Sequence, residues 1–399
     1  MRPALVALAL LAAAPRARAG AALPATSPLI LWQGRTVRDA AAGSVSFDWI
    51  NIQATFVVQG ATSVYANLSS TFWASAPASL GAARALQQSQ FPKFGVYRTY
   101  VNGTRLQQGQ DGIVVLPGAA QEHAVAAGLD PAHAHTVTLW YTTDAVFNSW
   151  PDLDAGAGCV QRVLGLRTDG AFAPPPPPRQ RHLLVVGDSI TSANAMMKPC
   201  ANASKCDSSL SYASRLSEAF ALNATMLTAS SKGLLHNCCD RLNVTVPALA
   251  NRTFAQNASA QWDWAAAPPF DIALINLGTN DGAQAPPAAF TAAYLDLLLH
   301  VAARASHAAA PIFAAWGPIT ATMAPWVAAA AAAANARGLN VTLIDFMAAE
   351  LDGCGHPGVL GHPHMARIAA PIIAGVTGWA FDAQLLQGGG GALGAAEEA

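Results

Sequence analysis

Leu183-Leu184-Val185-Val186-Gly187-Asp188-Ser189-Ile190-Thr191 decides how the second half of the chain is read. Four consecutive apolar residues ending at a glycine predict a short buried strand. Gly187 lets the backbone turn sharply, so Asp188 and Ser189 fall at the strand's carboxyl end. In open parallel α/β sheets that end is where ligands bind. Ser189 is then either the N-cap of a following helix, a position that favours serine, or an exposed nucleophile. The G-x-S-x-G elbow is absent from the chain, so any nucleophile here is held differently.

Downstream, strand and helix patterns alternate. Strands are predicted at 225–229, 271–277, 311–316 and 341–345, and helices at 209–220, 288–303 and 324–337, the last stopped by Gly338. Five strands with intervening helices imply a parallel, doubly wound sheet. Several strands lead into polar residues or glycine at one sheet edge. Ser230-Ser231-Lys232-Gly233 follows the second strand, Gly278-Thr279-Asn280-Asp281 the third, and Asp352-Gly353-Cys354-Gly355-His356-Pro357 lies a little beyond the last. A hydroxyl, backbone donors, an amide and an imidazole at one edge are the parts of acyl-transfer chemistry.

Upstream the pattern changes. Val45-Ser46-Phe47-Asp48-Trp49 alternates, and 54–58, 63–68, 95–101 and 136–141 are β-branched and aromatic runs of strand length. Asn102-Gly103 signals a tight turn. Many short strands without helices predict a β-sandwich. Its aromatic residues (Trp49, Tyr65, Trp73, Tyr97, Tyr100, Trp140, Tyr141 and Trp150) read as core, with a sugar-stacking platform as the alternative. Ala173 and the five prolines Pro174–Pro178 form a stiff spacer between the halves.

The 399 residues are 52% hydrophobic and 11% charged, with net charge −1, so no electrostatic case exists for nucleic acid or an anionic membrane as partner. Arg2, the apolar run Ala4–Ala14 and Ala17-Arg18-Ala19 read as a cleaved export signal, with the mature start near Gly20. The apolar run is too short to span a bilayer, and no stable membrane insertion is expected. Eight N-x-S/T sequons (Asn67, Asn102, Asn202, Asn223, Asn243, Asn251, Asn257 and Asn340) fit a secretory route. Six cysteines (Cys159, Cys200, Cys206, Cys238, Cys239 and Cys354) suggest disulfides bracing the loops, in a pairing the sequence does not choose. No C-x2-C pair has a matching partner pair for zinc, and no cofactor is expected.

The four blocks, in this order, resemble the SGNH (GDSL-type) hydrolase superfamily. Gly187-Asp188-Ser189-Ile190-Thr191 is similar to its nucleophile block, Gly233 to its glycine, Asn280 to its asparagine and His356 to its histidine. Gly34-Arg35-Thr36, Phe47-Asp48-Trp49 and Tyr97-Arg98-Thr99-Tyr100-Val101 resemble the N-terminal jelly-roll of carbohydrate esterase family 2, and Gly353–Pro357 with Gly361-His362 resembles that family's C-terminal block. The resemblance implies an α/β fold: a flavodoxin-like SGNH hydrolase domain with a parallel sheet over 181–385, preceded by a β-sandwich (jelly-roll) over 20–172. Residues 1–19 would be the signal peptide, 173–180 the Pro-rich linker and 386–399 a disordered tail.

Resemblance and chemistry together imply roles. Ser189 attacks an acetyl carbonyl and His356 is the general base. The N–H groups of Ser189 and Gly233 and the Asn280 amide form the oxyanion hole; for Asn280 a turn role is the alternative. Gly353 stands where the superfamily places the third triad member. Asp352, one residue earlier, is the remaining catalytic candidate, and a backbone carbonyl orienting the imidazole is the alternative. Asp188 is expected to hold the nucleophile turn. His362 is a competing base, and His236 lies near the site. The expected function is a secreted serine esterase removing O-acetyl groups from a xylan- or mannan-type polysaccharide. A GDSL-type lipid or acyl esterase, and a glycan-binding protein with a degenerate site, are the alternatives.

Overall fold

Hydrophobic alternation builds the first half, and the computed structural model describes residues 20–72, 95–106, 112–144, 159–196, 206–238 and 244–387. The export signal, Trp73, Trp150, Cys200, Cys239, Asn202, Asn243 and residues 388–399 lie outside the described residues. The early strands are β1 (Ala21–Pro24), β2 (Leu31–Gln33), β3 (Val37–Asp39), β4 (Ser44–Phe47), β5 (Ile52–Gln59) and β6 (Ser63–Phe72). They are followed by β7 (Gly95–Val101), β8 (Thr104–Arg105), β9 (Ile113–Val115), β10 (Gly118–Ala127), β11 (Ala134–Tyr141), β12 (Cys159–Thr168) and β13 (Ala171–Ala173).

These strands form two antiparallel sheets. One runs β10-β6-β12-β4-β3 with β1 beside β12; the other runs β13-β5-β11-β7-β8, with β2 on β5 and β9 on β7. Val64, Ala66 and Leu68 point inward from β6 and are fully buried, as period-two alternation requires. Phe47 of the first sheet meets Tyr141 and Tyr97 of the second at ring separations of 5.3 and 6.4 Å. Trp49, Tyr97, Trp140 and Tyr141 are buried, so these aromatics are core rather than a sugar platform. Asn102 (φ 50°) and Gly103 (φ 79°) turn the β7–β8 hairpin, in the left-handed conformation such a two-residue turn needs.

After β13 the prolines run without regular structure, and β14 (Arg181–Gly187) starts the second half. It lies at the interior of a five-stranded parallel sheet with β15 (Leu222–Thr228), β16 (Ile272–Asn276), β17 (Ile312–Trp316) and β18 (Val341–Asp345), in the order β15-β14-β16-β17-β18. Both faces are covered. Leu184 and Val186 face the same core as α3 (Pro287–Ala302) and α4 (Ala324–Asn335), while Leu183 and Val185 pack with α1 (Tyr212–Ala219) and α5 (Gly361–Thr377). A strand buried on both faces needs an unbroken apolar run. A short helix, α2 (Val246–Ala250), had no sequence signal of its own.

Three expectations shift. The first helix starts at Tyr212, capped by Ser211, because residues 208–210 form a 3-10 turn. The ordered chain continues past 385: Ala383–Leu386 is a 3-10 turn whose Leu386 is buried. Cys159 and Cys206 are buried thiols outside any disulfide, so no disulfide at these two braces a loop.

The two halves share one apolar core, and the blocks that resemble the jelly-roll lie at their junction. The buried Arg35 donates to the carbonyls of Ala250 and Arg252 at 2.7 and 2.6 Å. Its guanidinium lies 4.5, 4.9 and 5.5 Å from the rings of Trp262, Trp264 and Trp49. Asp48 accepts from the backbone N–H groups of Ala255 and Gln256 at 2.9 and 3.0 Å. Desolvation pushes Arg35 down to about 9 and Asp48 up to about 7. Arg98 and Arg105 pair with the buried Asp207 at 3.0 and 2.8 Å, and the Tyr100 hydroxyl donates to Ser209 Oγ at 2.9 Å.

Candidate active site

The turn after β14 is forced by packing. A Cβ on Gly187 would lie 2.2 Å from Thr191 Oγ1, so no larger residue fits without displacement. Asp188 Oδ1 accepts from the Ile190 N–H at 3.0 Å, and the Asp188 and Ser189 carbonyls accept from Ser192 and Asn194, both at 3.0 Å. Burial raises the Asp188 carboxyl to about 7, with Asp281 and Asp144 adding to the rise against the Ile190 bond. Asp188 therefore holds the turn, and the serine is what the turn presents.

Ser189 Oγ lies 2.8 Å from His356 Nε2. His356 Nδ1 lies 3.3 Å from the Cys354 carbonyl. A carbonyl only accepts, so the ring hydrogen sits on Nδ1 and Nε2 is left to accept from the serine. Burial lowers the His356 pKa against the smaller opposing effect of that carbonyl. The imidazole is therefore neutral near pH 7, as a base must be. The two loops are tied together: Cys354 N–H donates to the Ala195 carbonyl at 2.8 Å. A Cβ on Gly353 would come within 2.6 Å of that same oxygen, which is why glycine stands there.

Asp352 does not reach the imidazole. Its carboxylate accepts from the backbone N–H groups of Gly358 (2.7 Å), Leu360 (2.8 Å) and Gly361 (2.9 Å). Those groups belong to the loop after His356 and the start of α5, where unpaired amides and the helix dipole favour a carboxylate. The catalytic reading of Asp352 is thus corrected: it orders the histidine's loop, and the carbonyl of Cys354 faces the ring instead. His362 is no competing base either. It is fully buried in the first turn of α5, accepts from the Tyr212 N–H at 3.2 Å, and burial lowers it to about 3.

The strand order puts the turns after β15, β14 and β16 side by side, bringing Gly233, Ser189 and Asn280 to one edge. Gly233 is needed for close approach, since a Cβ there would sit 2.0 Å from the His236 carbonyl and 2.5 Å from Asp281 Oδ2. Its N–H points to Asn237 Oδ1 at 3.2 Å. Asn280 is largely buried and donates one amide hydrogen to the Lys232 carbonyl at 2.9 Å, which fixes the plane of the amide; the second hydrogen is available to a ligand. Asp281 accepts from Leu234 (2.8 Å), Leu235 (2.6 Å) and His236 (2.9 Å), fastening the glycine loop.

Two supporting residues escaped the sequence reading. Asp281 stood beside Asn280 with no assigned role, although an aspartate next to a glycine-rich turn is a signal for amide capture. Asp144, just past β11 in the first domain, accepts from the Ser230 N–H (3.1 Å) and hydroxyl (2.8 Å), a contact across 86 residues that no local pattern announces. Among the described residues no cluster of three or more His, Cys, Asp or Glu is placed to hold a metal ion, and no helix is long and apolar enough to cross a membrane.

With this geometry in hand, comparison locates the chain among known proteins. Residues 183–369 match the family model described as GDSL-like lipase/acylhydrolase. No curated protein sequence matches. Among solved structures, a family two carbohydrate esterase from Clostridium thermocellum in complex with cellohexaose superposes with TM-score 0.69 at 22% identity, covering 88% of this chain and 99% of that one. The family two carbohydrate esterase from Cellvibrio japonicus gives 0.71 at 16% identity over 90% and 98%. An acetyl xylan esterase from the rumen bacterium Butyrivibrio proteoclasticus gives 0.70 at 15% identity over 89% and 96%. The similarity spans both domains and shows a shared fold.

Proposed function

We propose, from the premise that the second domain is a GDSL-like acylhydrolase domain and hence a carboxylic ester hydrolase, that the protein removes O-acetyl groups from a polysaccharide. The single observation that carries the reading is the 2.8 Å contact between Ser189 Oγ and His356 Nε2 at the carboxyl edge of the sheet. The carbohydrate class is supported by the structural neighbours, one bound to cellohexaose and one an acetyl xylan esterase.

The steps follow from the geometry. Ser189 Oγ attacks the acetyl carbonyl carbon as His356 Nε2 takes its proton. The carbonyl oxygen becomes an oxyanion facing the Ser189 N–H and the free amide hydrogen of Asn280, and the Gly233 N–H joins them by exchanging Asn237 Oδ1 for the oxyanion. Each such donor supplies about 3 kcal/mol. The intermediate collapses, the bond to the sugar oxygen breaks, and His356 returns its proton to that oxygen. Water, deprotonated by the same imidazole, then cleaves the acetyl-serine. The Cys354 carbonyl orients the ring, so the pair works as a dyad.

Export is part of the proposal. Cleavage before Gly20 leaves β1 whole, and Gly20 already packs against the Thr168 carbonyl. The eight N-x-S/T sequons support the same route. Sequencing the amino terminus of secreted protein tests it; a chain that stays inside the cell with residues 1–19 attached rejects it.

The decisive assay is acetate release from acetylated xylan and glucomannan by the mature protein, with Ser189→Ala as control. Release that disappears in the variant is expected. Turnover of p-nitrophenyl acetate without polysaccharide release would remove the carbohydrate part of the reading. A variant with full rate would sink the serine mechanism.

A further inference from the structure

A groove of about 360 Å³ lies on the outer face of the first sheet, far in sequence from the catalytic blocks. It runs between β6, β10, β12 and β1, and its walls include Tyr65, Asn67, Glu122, Leu164, Arg167 and Leu23. Register explains the hollow. Asn67 points outward in the middle of β6, between inward Ala66 and Leu68. Its neighbour on β12 is Gly165, which has no side chain, just past an irregularity at Leu164; its neighbour on β10 is Glu122. A Cβ on Gly165 would lie 2.8 Å from the Leu23 carbonyl, so β1 backbone closes that side of the groove and no side chain of β12 covers Asn67 there. Arg167 is fixed over the Tyr65 ring at 4.4 Å and donates twice to Glu122, at 2.9 and 2.5 Å.

Asn67 also opens the sequon Asn67-Leu68-Ser69. Of the six sequon asparagines among the described residues, four already donate or share their amide nitrogen. Asn102 meets His135, Asn223 donates to Arg179, Asn251 to Pro247 and Asn340 to Ala309. Asn251 is held at both ends, since it also accepts from Trp264 at 2.9 Å. The Asn67 amide makes no hydrogen bond among the described residues and is exposed.

We propose that Asn67 carries an N-linked glycan and that its first N-acetylhexosamine sits in this groove. The inference rests on the export reading above. The chemistry fits a sugar: apolar Leu23 and Leu164 meet its C–H face, while the fixed Arg167–Glu122 pair meets its hydroxyl and acetamido groups. The transfer takes a pyrophosphate-linked oligosaccharide as donor. A bond forms between Asn67 Nδ2 and the anomeric carbon, the anomeric C–O bond to pyrophosphate breaks, and the proton lost from Nδ2 leaves with the pyrophosphate. By the same geometry, Asn251 stays bare, because a sugar there would displace the contacts that frame Arg35.

The test uses the full chain secreted from a eukaryotic host. Glycopeptide mapping should find Asn67 occupied and Asn251 bare. Trimming the glycans enzymatically to one sugar should leave Tm unchanged. Two variants lose this glycan, Asn67→Gln at an exposed side chain and Ser69→Ala at a buried one. Each should lower Tm by about 2 °C or more beyond the drop that the same substitution causes in protein made without glycans, with esterase rate intact. Secreted protein glycosylated elsewhere but bare at Asn67 would overturn the proposal, and unchanged Tm in both variants would overturn the seat. Absence of sugar from every sequon, in protein that is not exported, would instead mark failure of the export reading and carry this one with it.

Discussion

A methyl group on Gly233 would collide with the His236 carbonyl and with Asp281. Gly233→Ala must therefore move the loop that carries one oxyanion donor. Its kcat should fall about 10²-fold or more with KM little changed, as steady-state kinetics would show. The histidine makes a second residue-scale prediction. Burial lowers the His356 pKa, so the neutral, active form persists below the usual range near 6.5. The rate should hold down to about pH 6.5 and fall only as protonation begins below that. Asp352→Ala should leave this acid limb in place, because the carboxylate faces backbone amides, while lowering Tm through the loss of three hydrogen bonds. A limb moved by a full unit in that variant would restore Asp352 as the partner of the ring. The meeting of Ser189, Gly233, Asn280 and His356 at one sheet edge was legible because each lies in a segment that follows a strand of the predicted parallel sheet. Asp352 misled because sequence distance from the histidine says nothing of where a carboxylate turns.

At the scale of elements, the parallel sheet was readable almost strand by strand, since strands buried on both faces must be continuously apolar. The boundaries moved where side chains capped turns, as Ser211 does before α1. What sequence could not give was the support that one element lends another across the fold. Asp144 reaches from the segment after β11 in the first domain to hold Ser230, three residues before Gly233. Ser230 in turn lies 3.3 Å from Ser192, which donates to the Ser189 carbonyl. The first domain thus holds the Ser230–Gly233 loop and braces the turn that carries Ser189, the proposed nucleophile. Asp144→Ala should cost kcat about tenfold with KM unchanged, in line with the loss of about 1.4 kcal/mol of positioning. An equal fall in rate for a truncated, less demanding ester and a polysaccharide would fit that role, while a change confined to KM would reject it.

For the whole molecule, the junction of the two domains is a polar structure inside an apolar core. Arg35 stands in a cage of three indole rings, and Asp48 accepts two amides beside it. Removing the cation takes from the buried Asp48 carboxylate the larger of its two compensating charges, the other being Arg252. Arg35→Met should destabilise the chain by about 3–5 kcal/mol, measured by denaturant unfolding. The full chain should melt in a single transition, because the core runs through both halves. Sequence marked Gly34-Arg35-Thr36 and Phe47-Asp48-Trp49 as blocks but could not say what they met, since the partners lie more than 200 residues away.

The pairing of Ser189 with His356 spans 167 residues, and the base follows all five strands of the parallel sheet. Synthesis runs from the amino end, and domains fold in that order. The first domain and Ser189, the proposed nucleophile, are made before His356, its proposed base, exists. Under the proposed mechanism a nascent chain is inert toward esters until its closing stretch emerges, and any message cut short before codon 356 yields a protein with a serine but no imidazole to deprotonate it.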